Sequence, residues 1–157
     1  MGSEQLDPDF AAAFRERVAA SPVADRVTLA GTVPAAEMPA TYDAHDVAVV
    51  PSRFETCSMT TREAMARGRA VVACAVGGLP ENLRPPNAPR SAEAPLAGRL
   101  VDPGDPGALV EALRDVITDA DLRATLRRAA WARSQAFPSW TETARQFEAA
   151  VTGRGEA

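Results

Sequence analysis

Two short apolar runs constrain this chain more than any other feature. Val47–Ser52 reads VAVVPS, apolar up to its proline, and Ala70–Val76 reads AVVACAV, apolar up to a pair of glycines; a helix-patterned stretch separates them. A strand with one wet face alternates apolar and polar residues, whereas one that is apolar throughout is covered on both faces. Two such strands joined through a helix make a right-handed βαβ unit and a mainly parallel sheet.

The remaining pattern extends this alternation. Asp9–Ala20 puts Phe10, Phe14 and Val18 on one helical face. RVTLAG (Arg26–Gly31) reads as a short strand closed by glycine, and Ala36–Asp46 as a helix with Pro39 in its first turn, where the missing N–H costs nothing. Thr60–Arg67 is a helix stopped by Gly68, and GRLVDPGDP from Gly98 is a last strand followed by a turn. Helices are expected over Gly107–Thr118, Leu122–Ala136 and Ser139–Thr152. Arg84–Pro95 is too rich in proline for either element and is expected to be a long surface loop. The fold class is α/β, Rossmann-like, in one domain spanning residues 1–157, with three helices gathered at its C-terminal end.

Composition narrows the function. A formal charge of −4 argues against a nucleic-acid footprint, and no apolar run approaches the roughly 20 residues that span a bilayer. The N-terminus lacks the charged-then-apolar order of a signal peptide, so a cytoplasmic protein is expected. Cys57 and Cys74 show neither metal-ligand nor redox spacing and read as free thiols. All seventeen basic residues are arginine. That removes lysine from phosphate binding, Schiff-base chemistry and general-base roles.

In an open parallel sheet, ligands bind beyond the C-terminal ends of the strands. Four segments are assigned there: Gly31-Thr32-Val33, Pro51 to Met59, Gly77 to Glu81, and Asp102-Pro103-Gly104. Glu55 and Glu63 stand with seven residues between them in the second segment and its helix. Thr60-x-x-Glu63 has the spacing of a capping box, and a loop carboxylate such as Glu55 is favoured by the positive end of a helix. The alternative is a ligand with hydroxyls at both ends and negative charge between them, such as a nucleotide sugar. Its diphosphate would rest on the N–H groups of Ser58, Met59 and Thr60, and the two carboxylates would accept from ribose and sugar hydroxyls. A G-x-G-x-x-G fingerprint is absent, the double glycine Gly77-Gly78 continuing as LPE, which argues against a nicotinamide enzyme. A G-x-S-x-G nucleophile motif is absent too. The single histidine, His45, reads as a helix-end residue, and Cys57, without a visible base, as lining. Arg123, Arg127 and Arg128 read as the solvated face of their helix, opposite Leu122, Leu126 and Ala129.

Taken in order, VTLAGTV, YDAHDVAVVPSRFE, EAMARGRAVVA, VGGLPE, GRLVDPGDP and FPSW resemble the C-terminal half of retaining glycosyltransferases of family 4, which have the GT-B fold. The resemblance covers about 130 of the 157 residues, and Glu55 and Glu63 fit the family's E-x7-E motif. It implies a UDP- or GDP-type sugar donor. Glu63 would bind the ribose and Glu55 would contact the sugar as the catalytic carboxylate. Amides around Cys57, Ser58 and Met59 would lie on the diphosphate, Gly31 to Val33 would border the base, and Gly77-Gly78 would form a second loop. No cofactor or metal is implied. Transfer would keep the anomeric configuration, with the leaving diphosphate as the group to stabilise.

Two departures stand out. Cys57-Ser58 replaces the aromatic-glycine pair usual in the family, so a side chain stands where close backbone approach is expected. The family's acceptor domain, its first two donor-domain strands and its Arg/Lys pair find no counterpart in the sequence. From this we expect a homodimer, a strand swap or a complementing N-terminal half to complete the sheet. A non-catalytic nucleotide-sugar-binding module is the alternative to a transferase.

Overall fold

The computed structural model describes residues 7–86 and 96–153, so most of the expected proline-rich loop lies outside the described residues. The chain forms two compact units, Met1–Thr41 and Tyr42–Ala157.

In the first unit, α1 (Pro8–Ala19) is capped by Asp7, whose carboxylate accepts from the Phe10 N–H at 3.0 Å. Phe10 and Phe14 share a face, as expected, with rings stacked 6.1 Å apart, but both are exposed. A 3-10 turn (Ala24–Arg26) follows. Val27–Ala30 then runs as irregular chain, not as the expected strand. A run of four residues is stable as a strand only when a neighbour takes up its N–H and C=O groups, and no described strand does so. Gly31 ends the run with φ +62°.

Helix α2 (Met38–Asp43) leads into the second unit; it is shorter than expected, with Pro39 at its second position. There the parallel sheet forms as expected. Its order is β1-β2-β3, with β1 Val47–Val50, β2 Ala70–Cys74 and β3 Arg99–Val101. Val47 pairs with Ala70 and Val50 with Ala73, while Val72 pairs with Arg99 and Cys74 with Val101. The central strand β2 is buried along its whole length, as its unbroken apolar sequence requires.

Helix α3 (Met59–Ala66) connects β1 to β2, and a short α4 (Leu79–Leu83) follows β2. Helix α4 was not legible in the sequence: five residues are too few to show a period. Three helices close the chain: α5 (Pro106–Thr118), α6 (Ala120–Ser134) and α7 (Trp140–Thr152). Each starts at a side-chain cap, with Asp105 accepting from Ala108, Asp119 from Leu122 and Ser139 from Glu142. Ala70 and Val72, two residues apart on one face of β2, cluster with Ala112, Val116 and Leu126. Leu126 and Ala130 are the buried residues of α6, with Leu122 and Ala129 half-buried beside them.

The arginines of α6 do more than face solvent. Arg123 donates to the carbonyls of Val116 and Ile117 at the end of α5, and Arg127 donates to the Gly68 carbonyl at 2.9 Å. Both are half-buried, their stems lying along the helix pair. Arg128 is exposed and bonds Thr125 on its own helix.

Candidate functional site

Three segments leave the sheet at its C-terminal end: Pro51–Ser58 after β1, Ala75–Gly78 after β2, and Asp102–Gly104 after β3. The first two are pressed together. A Cβ added to Gly77 would lie 1.5 Å from the Glu55 carbonyl oxygen, and one added to Gly78 would lie 2.1 Å from that of Thr56. Gly77 also holds φ +50°. The double glycine is therefore a backbone-to-backbone contact that leaves no room for a side chain.

Glu55 is half-buried, and one carboxylate oxygen, Oε1, accepts from the N–H groups of Thr56 and Ser58, both at 3.1 Å. Ser58 is buried and is the only described non-glycine residue in the left-handed region, at φ 47° and ψ 81°. The serine that replaces the expected glycine thus keeps a glycine-like backbone. It also caps α3: its Oγ accepts from the Thr61 N–H at 3.4 Å and lies 2.8 Å from Thr61 Oγ1. The helix begins at Met59, so Thr60 lies inside it and the cap is Ser58, not Thr60. The expected capping box is corrected accordingly.

Glu63 turns instead toward α2. Tyr42 Oη donates to its Oε2 at 3.1 Å and lies 3.4 Å from the Thr60 carbonyl. Burial, reinforced by the Glu63 carboxylate, pushes the Tyr42 phenol up to about 12. Met59, Thr60 and Cys57 are exposed at the start of the helix. Gly31, Thr32 and Val33 belong to the first unit, where Thr32 is exposed and its neighbours are half-buried. His45 follows α2, and its carbonyl accepts from Arg69.

Asn82, on α4, did not stand out in the sequence. It is buried, donates from Nδ2 to the Cys57 carbonyl at 2.6 Å, and accepts at Oδ1 from Arg62 Nε at 3.2 Å. The Arg62 guanidinium in turn lies 4.6 Å from the ring centre of Phe137, and that of Arg133 lies 4.3 Å from the same centre. Both distances are within cation–π range. Burial, followed by the charge of Arg62, pushes the Arg133 guanidinium below its usual range. An asparagine among leucines, in LPENL, was the one available signal.

A shallow groove of about 610 Å³ lies elsewhere, lined by Gly68, Ala124, Arg127, Arg128, Trp131 and Ala132. It adjoins the C-terminal end of α3, away from the Ser58 end, and is separate from the carboxylate loop. Among the described residues no helix is long and apolar enough to cross a membrane.

Comparison with known proteins gives the family and the fold. The D-inositol 3-phosphate glycosyltransferase of Salinispora tropica is 36% identical over 132 residues, covering 84% of this chain and 25% of that protein. The C-terminal domain of a glycosyl transferase group 1 family protein from Francisella tularensis superposes with a TM-score of 0.69 at 25% identity, over 82% of this chain and 62% of that one. Anabaena HepE, solved in complex with UDP, gives a TM-score of 0.75 at 25% identity, over 95% of this chain and 38% of that one. The chain spans about a quarter of the length of the curated relatives it matches. Its α/β fold is that of part of a GT-B glycosyltransferase. With residues 1–119 matching the family described as glycosyl transferases group 1, the chain belongs to that family.

Proposed function

We propose that this chain is the C-terminal, donor-binding half of a retaining GT-B glycosyltransferase of family 4. On this reading it holds a nucleotide-diphosphate sugar for transfer to a hydroxyl acceptor, and does so in the cytoplasm. The observation that carries the reading is the joined loop pair. Gly77-Gly78 locks the backbone of Glu55–Cys57, so that a carboxylate and the start of α3 face the same end of the sheet.

This reading assigns the following roles. The N–H groups of Met59 and Thr60, in the first turn of α3, face the diphosphate, since a helix leaves its first four N–H groups without intrahelical partners. The Ser58 N–H joins them when Glu55 rotates away from it toward the sugar; the carboxylate is thus an internal anion that the donor replaces. Tyr42 fixes one oxygen of Glu63, and the other accepts from the ribose. Cys57 lines the diphosphate, and Gly77-Gly78 support the loop from behind. The leaving diphosphate assists the incoming hydroxyl on the same face, so no protein nucleophile is required. Stabilising that leaving group is the main catalytic contribution of the helix start.

Calorimetric titration with UDP, GDP and their sugars tests the donor site. Glu63→Ala is expected to weaken binding at least about tenfold, the loss of one charged hydrogen-bonding partner. Equal binding by wild type and variant, or none by either, would remove the site. The absence of lysine supports a second reading, a module that binds a nucleotide sugar without transferring it. Transfer assays with and without a complementing N-terminal half distinguish the two.

A further inference from the structure

We propose that Asn82 and Arg62 are a positioning pair that aims the Ser58 N–H, and that Phe137 holds the pair in place from the C-terminal helices. The ligand arm of this proposal rests on the donor reading above; the backbone arm does not.

The Cys57 carbonyl and the Ser58 N–H belong to one peptide unit, which is planar and trans. Asn82 Nδ2 holds the carbonyl end of that unit at 2.6 Å. The N–H end therefore points the other way, and there it meets Glu55 Oε1 at 3.1 Å. Rotating this one peptide plane would turn the N–H out of the site, and Ser58, already at φ 47°, is a residue at which such a rotation is open. The anchor is what prevents it.

A side-chain amide is the group this anchor requires. It donates to a carbonyl from Nδ2 while accepting from a guanidinium at Oδ1. Leucine would fill the space but do neither, and aspartate would only accept. Arg62 is held by the Phe137 ring, which lies in the connection between α6 and α7. Arg133 takes the other guanidinium contact with that ring and donates to the Glu81 carbonyl on α4, next to Asn82. The Cys57–Ser58 peptide is thus tied through the Asn82 amide to Arg62, and through Arg62 to the ring of Phe137.

The test uses Asn82→Asp, which keeps the shape and the Arg62 partner but loses the donor. Amide hydrogen exchange at Ser58 is expected to accelerate at least about tenfold, with exchange at Val72 and Ala73 of β2 unchanged, and UDP affinity is expected to fall about tenfold. Arg62→Gln should show the same pattern at about a third of that size. Wild-type exchange at Ser58 in Asn82→Asp would overturn the proposal. So would equal acceleration at Ser58 and in β2, since that is what a residue serving only global stability produces. If Asn82→Asp does not fold, Arg62→Gln decides, and unchanged Ser58 exchange there overturns the pairing. If wild type binds neither UDP nor GDP, the donor reading fails while the exchange measurement still settles the pair.

Discussion

Ser58 shows how much one side chain can be asked to do. Its left-handed backbone costs a non-glycine residue about 1 kcal/mol, and its Oγ offsets part of this by capping α3. Ser58→Ala keeps the strained backbone and loses the cap, so it is expected to be about 1 kcal/mol less stable than wild type. Ser58→Gly relieves the backbone and should come within about 1 kcal/mol of wild type, because glycine caps almost as well. Urea unfolding that ranks Ala above Gly would contradict this account. Tyr42 offers a second measurement at this scale. Its phenol titrates at about 12, against about 10 in an unfolded chain. A raised folded value means the stabilisation is complete below pH 10 and is lost as pH rises toward 12. It is the only tyrosine in the chain, so phenolate absorbance reports it directly. An apparent value near 10 in the folded protein, or a Tyr42→Phe variant that loses stability as steeply above pH 10, would contradict this account of Tyr42 as a phenol raised by burial and by Glu63.

At the level of elements, the Glu55–Ser58 loop and the glycine turn after β2 form one unit. Gly77→Ala drives a Cβ into the Glu55 carbonyl and is expected to cost at least about 3 kcal/mol. Gly104→Ala is the control: its φ is +85°, but nothing lies within 4 Å, so about 1 kcal/mol is expected. Similar denaturation midpoints for the two would remove the close contact from the account. The elements also divide cleanly by how legible they were. β1, β2 and α5 were readable because a long apolar or periodic run carries its own signal. Val27–Ala30 has the composition of a strand, but a strand exists only with a partner, and its composition could not supply one. The capping box failed for a related reason. Ser58 and Thr60 are both good caps, and the choice between them turned on where the chain leaves the loop.

For the molecule as a whole, the outer position of β1 is the feature that matters. Val49 is 40% exposed on a strand whose outer edge no described strand pairs. Edges of this kind invite added strands, from a second copy or from a complementing half. Analytical ultracentrifugation is expected to show association in the micromolar range. Val49→Lys should abolish it while changing stability by less than about 1 kcal/mol. A compact wild-type monomer throughout that range would count against the sheet-completion reading.

By itself the sequence determined the alternation of strands and helices, the parallel sheet and the E-x7-E spacing. These are local periods and fixed separations, written in neighbouring residues. Only the tertiary structure decided what the Glu63 carboxylate and the Asn82 amide touch: a tyrosine 21 residues earlier and a carbonyl 25 residues earlier. Such partnerships depend on how distant segments close on one another, and no local pattern carries that information.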